Sequence, residues 1–152
     1  AMQLPTPDLL SKLQLPAGTP VYSAKADLDN CFHRVKTPVW LRSYFCLPPV
    51  RAGDVGMAYR YGQDALIHPR CTTLPMGWSH SAALVQASNE HSIAGMPSFS
   101  LADQITADGD FCLDRPRFFV YIDDFVLLGT DPARLRYLLN EYVRCMDNLG
   151  SW

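Results

Sequence analysis

Two adjacent carboxylates, Asp123 and Asp124, interrupt a run between residues 118 and 128 that is otherwise Phe, Val, Tyr, Ile and Leu. Charge in such a stretch is costly unless something neutralises it, and for clustered carboxylates a divalent cation does so. Hard cations such as Mg²⁺ take oxygen ligands, and a pair of ions roughly 4 Å apart needs carboxylates from more than one part of the chain. Asp27 is the candidate second source: it closes a strand-like stretch over 21–26 as Asp123 closes its own, so adjacent strands would carry both to one edge. Asp29, two residues on, competes for that role, and any one of these aspartates alone reads as a turn or cap residue.

The elements that must position these residues follow from the punctuation. The stretch 21–28 reads as a strand, and Thr37-Pro38 reads as N-cap and first helical position before Val39, Trp40, Leu41, Tyr44 and Phe45. Residues 56–61 read as a second strand. Ser79 or Ser81 caps a helix through Ala82, Leu84, Val85 and Ala87 toward Gly95, where Pro97 forbids continuation. A polar connection over 96–114 holds Asp103, Asp108 and Asp110 as a solvated loop. The apolar runs 118–122 and 125–128 form a hairpin joined by Asp123-Asp124. Asp131-Pro132 then opens a last helix, with Leu135, Leu138, Leu139, Tyr142, Val143, Met146 and Leu149 recurring at three- and four-residue steps. The order predicts an α+β fold, an antiparallel sheet with helices packed on one face. Pro5, Pro7, Pro16 and Pro20 make residues 1–20 an extension with little beyond a turn of helix near 9–13, so the fold proper is expected over 21–152.

Three segments carry a family resemblance. Tyr121-Ile122-Asp123-Asp124 resembles the YxDD box of reverse transcriptases, and Asp27-Leu28-Asp29-Asn30-Cys31-Phe32 resembles their first aspartate motif, with an aromatic five positions after the Asp. Between them Leu74-Pro75-Met76-Gly77-Trp78-Ser79-His80-Ser81 resembles the LPxGWxxS segment. In family order, the three span most of residues 24–150. The resemblance implies the palm of an RNA-directed DNA polymerase of retrotransposon or retroviral type, acting on an RNA or DNA template with a primer and on deoxynucleoside triphosphates. By resemblance Asp27 and Asp123 ligate two Mg²⁺ ions (Mn²⁺ being an alternative), Asp124 assists, and the carbonyl of Leu28 completes one coordination sphere. Asn30 and Cys31 offer backbone N–H groups to the triphosphate, Phe32 is the gate against a ribose 2′-hydroxyl, and Met76 and Gly77 lie against the nucleotide. Met76 stands where retroviral enzymes often carry Gln, which leaves only van der Waals contact there. Ala82 replaces a proline common in the family, and Trp78 reads as a buried aromatic anchor.

Bulk properties frame these expectations. The chain has 152 residues and a formal net charge of −2, low for a nucleic-acid enzyme. Five cysteines without a C-x-x-C pair read as reduced thiols in an intracellular compartment, cytoplasm or nucleus, and the four histidines make no ligand spacing. No apolar run is long enough for a membrane helix, and Ala1 before Met2 reads as a cloning remnant. The family's fingers and thumb are largely missing around the palm, so the chain by itself is expected not to extend a primer, with the basic surfaces in those other regions of the parent polyprotein. The competing reading is a non-catalytic scaffold of the same fold, although such scaffolds usually lose a metal carboxylate and this chain keeps all three.

Overall fold

The structure is a computed structural model that describes residues 4–106 and 110–149; Ala1, Met2 and Asp108 lie outside them. In chain order the strands and helices are β1 (Leu13–Gln14), β2 (Tyr22–Asp27), α1 (Cys31–Arg34), β3 (Val50–Arg51), α2 (Ala58–Tyr61), β4 (Leu66–Ile67), α3 (Ser79–Ala94), β5 (Phe111–Cys112), β6 (Arg117–Tyr121), β7 (Asp124–Gly129) and α4 (Pro132–Asn148). Short 3-10 helices cover Pro7–Lys12, Val39–Tyr44, Ala52–Val55 and Leu101–Asp103. The class is mixed α+β. The chain forms two compact units, Ala1–Cys31 with Ala82–Trp152, and Phe32–Ser81. That is a different partition from an extension over 1–20 followed by one domain over 21–152.

The first unit is built on a three-stranded antiparallel sheet in the order β2-β7-β6. Alternation sorts its side chains. Phe118, Val120, Phe125 and Leu127 point to one face, where Ile93, Met96, Leu135, Leu138, Tyr142 and Met146 complete a core. Ala24 and Ala26 present only methyl groups to that core, and α4 packs against β2 and β7. A Cβ at Gly129 would sit 3.0 Å from Leu135 Cδ2, so a larger residue there would need the leucine side chain to give by a few tenths of an ångström. The cap of α4 is as expected: Asp131 Oδ1 accepts from the N–H groups of Ala133 (2.9 Å) and Arg134 (3.2 Å), with Pro132 at the first helical position. Val143 and Leu149, expected on its packed stripe, are both more than 40% exposed. The buried stripe is the narrower set Leu135, Leu138, Tyr142 and Met146.

The opposite sheet face is covered at one end by a second core of Leu9, Ile105, Leu113 and Leu128, flanked by Leu13, Leu15, Phe111, Phe119 and Val126. Residues 9–15 therefore contribute to the packing. Leu9, in the 3-10 helix, is buried, and β1 pairs in parallel with β5. The polar connection is also tied down. Asp103 pairs with Arg115 and Arg117, and Asp110 accepts from Gln14 Nε2 at 2.6 Å.

The second unit is a long antiparallel excursion held by the bridges Lys36↔Thr73 and Cys46↔Arg70 and by β3 against β4. The expected strand over 56–61 is helical. Gly56, at φ +71, ends the preceding 3-10 turn, and the N–H of Gly62 then closes on Ala58 C=O at 2.8 Å. Tyr59, within this helix, is 85% exposed. Thr37 makes no side-chain cap; it is buried, its N–H goes to Thr72 C=O, and the helix begins after Pro38. Trp78, expected to be buried, is half-buried, edge-on to Phe45 at 5.1 Å and against His80.

Candidate functional site

The carboxylates meet at one end of the β2-β7-β6 sheet. Asp27, the last residue of β2, lies directly across from Asp124, the first of β7, and Asp124 in turn pairs with Tyr121 of β6. The hairpin turn is thus Ile122-Asp123 rather than Asp123-Asp124, and Asp124 is the strand residue facing Asp27. Asp123 sits in the turn, where its C=O accepts the Leu28 N–H at 3.0 Å and extends the β2–β7 ladder by one bond.

The charges act on one another. Asp27 is held above its ordinary pKa, first by partial loss of hydration although the side chain stays exposed, then by the charges of Asp123 and Asp124 and a hydrogen bond with Asp124. Lys25, two residues earlier on the same face of β2, opposes this. Its Nζ lies 2.8 Å from Asp124 Oδ1, and that bond raises the lysine's own pKa. Cys31, buried at the start of α1, donates its thiol to Asp123 Oδ2 at 3.9 Å, so its side chain faces the site. Asp29 accepts from Asn30 Nδ2 at 2.9 Å. Asn30 occupies φ +53, a conformation that Asn tolerates better than most residues, which accounts for its place before α1.

Three carboxylates of this kind suit a hard divalent cation in donor type and in register. Among the described residues no group of three or more His, Cys, Asp or Glu side chains is already gathered for an ion. Asp124 is turned to Lys25, so an ion would take over the place of that ammonium. The remaining expected residues, Phe32, Met76 and Gly77, belong to the second unit. Phe32 lies in α1 and is half-buried, and Met76 is exposed. Gly77 has φ +95 with nothing within 4 Å of a built Cβ, so the turn conformation, not crowding, is what calls for glycine. All four histidines are exposed, and no disulfide joins the cysteines.

Sequence reasoning passed over Gln86 and Asn89, one turn apart on α3, both buried. Gln86 Oε1 accepts the Ile122 N–H at 2.6 Å, and Asn89 Nδ2 donates to the Ile122 C=O at 3.3 Å. The signal was present: two amides three residues apart inside an otherwise apolar helix face need buried partners. Ile122 itself has φ +57, where a β-branched residue costs about 1–3 kcal/mol. Positive φ at only the first central residue is the II′ pattern that normally selects Gly.

A pH prediction follows from the raised pKa of Asp27. Its folded value lies above its ordinary 3.8, so the folded state binds the proton more tightly than the unfolded chain. Stability from this group is full at low pH and is lost as pH rises through the folded value. In metal-free buffer Asp27→Asn is therefore expected to melt higher than the parent at pH 7, with the gap closing near about pH 3. Thermal melts of both proteins across that range check it; an unchanged gap would mean that ionisation of Asp27 is not its source.

No helix among the described residues is long and apolar enough to cross a membrane. No family model matches this chain, and no curated protein matches it.

Proposed function

We propose that this chain is the palm of an RNA-directed DNA polymerase, binding two divalent cations, Mg²⁺ or Mn²⁺, on Asp27, Asp123 and Asp124 in a reducing intracellular compartment. The observation that carries the reading is the register of Asp27 against Asp124 beside the Asp123 turn, which brings the two motifs that resemble reverse transcriptases to one sheet end. When bound, the ions supply Lewis acidity to a primer 3′-hydroxyl and neutralise a triphosphate leaving group. The protein's part is positioning. The β2–β7 ladder fixes the spacing of the carboxylates, and Lys25 holds Asp124 while no ion is present.

Charge distribution supports a polyanionic substrate better than the net value of −2 does. Residues 32–81 hold six basic side chains (Arg34, Lys36, Arg42, Arg51, Arg60, Arg70) against two acidic ones (Asp54, Asp64). They also expose Trp40, Tyr44 and Tyr59. Basic groups among exposed aromatic rings suit single-stranded nucleic acid.

The test is linkage. An ion that binds only the folded chain stabilises it by about 1.4 kcal/mol at ten times its dissociation constant, which raises Tm by roughly 3–6 °C for a domain of this size. Mn²⁺ or Mg²⁺ titrations followed by thermal melting should show this shift, and Asp27→Asn with Asp123→Asn should remove it. No shift at millimolar ion would favour the non-catalytic scaffold.

A further inference from the structure

We propose that Gln86 and Asn89 are positioning residues: a helical clamp that holds Ile122 in its left-handed conformation and thereby sets where Asp123 and Asp124 stand against Asp27. The proposal rests on the reading of those carboxylates as a cation site. A two-residue turn with a β-branched residue at positive φ does not keep that shape unaided. Here both backbone polar groups of Ile122 are taken by side chains of one helix. Its N–H goes to Gln86 Oε1 (2.6 Å) and its C=O receives Asn89 Nδ2 (3.3 Å).

The clamp is itself held. Gln86 Nε2 donates to Val120 C=O (3.1 Å), on the strand leading into the turn, and to Glu90 Oε1 (2.8 Å). Glu90 also accepts from Gln104 Nε2 at 2.9 Å. Asn89 Oδ1 accepts from the Tyr142 hydroxyl of α4 at 3.1 Å, which fixes the orientation of the amide. Gln86, Asn89 and Tyr142 are 4%, 0% and 1% exposed, so solvent offers no substitute partner. On the far side the Leu28 N–H pins the Asp123 C=O. The turn is therefore gripped at Ile122 from α3 and at Asp123 from the end of β2, and the carboxylates inherit its geometry. Side chains that orient ligands in this way commonly change metal affinity by about 10–100-fold when lost.

The experiment uses the full chain with Mn²⁺ as probe, reading its affinity by titration and the protection of the residue-122 amide by hydrogen exchange. Gln86→Met keeps volume but offers the Ile122 N–H only a weak thioether acceptor in place of the amide oxygen, and Asn89→Ala removes the other hold. Each is expected to weaken Mn²⁺ binding by about 10-fold or more and to speed exchange of that amide. A rescue separates positioning from general damage: Ile122→Gly, which adopts positive φ without help, should restore most of the affinity when combined with Gln86→Met. Wild-type affinity and protection in both single variants would overturn the clamp, as would a double variant no better than Gln86→Met alone. Should the parent chain bind no Mn²⁺, the cation reading fails, and the exchange measurement alone upholds or rejects the grip on Ile122.

Discussion

Asp123→Asn is expected to lower metal-dependent primer extension about a thousandfold, the equivalent of roughly 4 kcal/mol of lost stabilisation. The substitution is close to isosteric, and the bond that fixes the turn, Leu28 N–H to the Asp123 C=O, belongs to the backbone and survives it. What disappears is one negative charge on the carboxylate pair that faces Asp27, and with it one of the ligands proposed for the cation. Because the family resemblance places fingers and thumb segments around a palm, the measurement is incorporation of deoxynucleotides by a longer chain carrying those segments, with Mg²⁺ or Mn²⁺. Asp29→Asn is the control. Asp29 bonds to Asn30, and the charges that raise the pKa of Asp27 are those of Asp123 and Asp124, so activity should stay within a few-fold. Equal losses at Asp29 and Asp123 would mean that the wrong carboxylates have been grouped. Retention of activity in Asp123→Asn would remove Asp123 from the proposed metal site.

The parts of the fold that were legible in the sequence are those where one strong local signal acts alone. Asp131-Pro132 names both the cap and the first position of α4, and the apolar runs on either side of the hairpin have no competing period. The turn was displaced by one residue because a sequence reader places polar Asp-Asp, not Ile-Asp, at a bend. Ile122 is tolerated there only because Gln86 and Asn89 satisfy it from a helix more than thirty residues away in the chain. Nothing local announces that. The helix over Ala58–Tyr61 was misread for a related reason. Alternating Met57, Tyr59 and Tyr61 imitates a strand, whereas Gly56 at positive φ resets the backbone just before it.

The candidate site divides along the same line. Asp123 and Asp124 stood out as carboxylates in an apolar run and Asp27 as the residue closing a strand, and the sheet sets Asp27 across from Asp124. The contact of the Cys31 thiol with Asp123, and the hold of Lys25 on Asp124, depend on strand register and could not be read from spacing. The N-terminal segment was discounted for its prolines, yet Leu9, Leu13 and Leu15 meet Ile105, Leu113 and Leu128 across a separation that no local pattern encodes.

Phe125→Ala is expected to cost about 3–5 kcal/mol of stability, a large share of the roughly 5–15 kcal/mol available to a domain. Phe125 follows Asp124 directly and is fully buried, its ring nearly parallel to that of Tyr142 with centroids 4.0 Å apart, and Phe99 and Phe118 close the cluster at 5.6 and 5.8 Å. Removing the ring leaves a cavity lined by aromatic faces that cannot collapse without moving α4. Because the Tyr142 hydroxyl orients Asn89, the damage should reach the turn, and Mn²⁺ affinity should fall together with the denaturation midpoint. Phe125→Leu retains much of the buried surface and should lose clearly less of both. Val143→Ala, on the exposed side of α4, should change stability by no more than about 0.5 kcal/mol. Denaturant titrations at constant slope decide the matter: comparable losses at Phe125 and Val143 would mean that α4 meets the sheet through a different face, and the link from Tyr142 to the turn would fall with it.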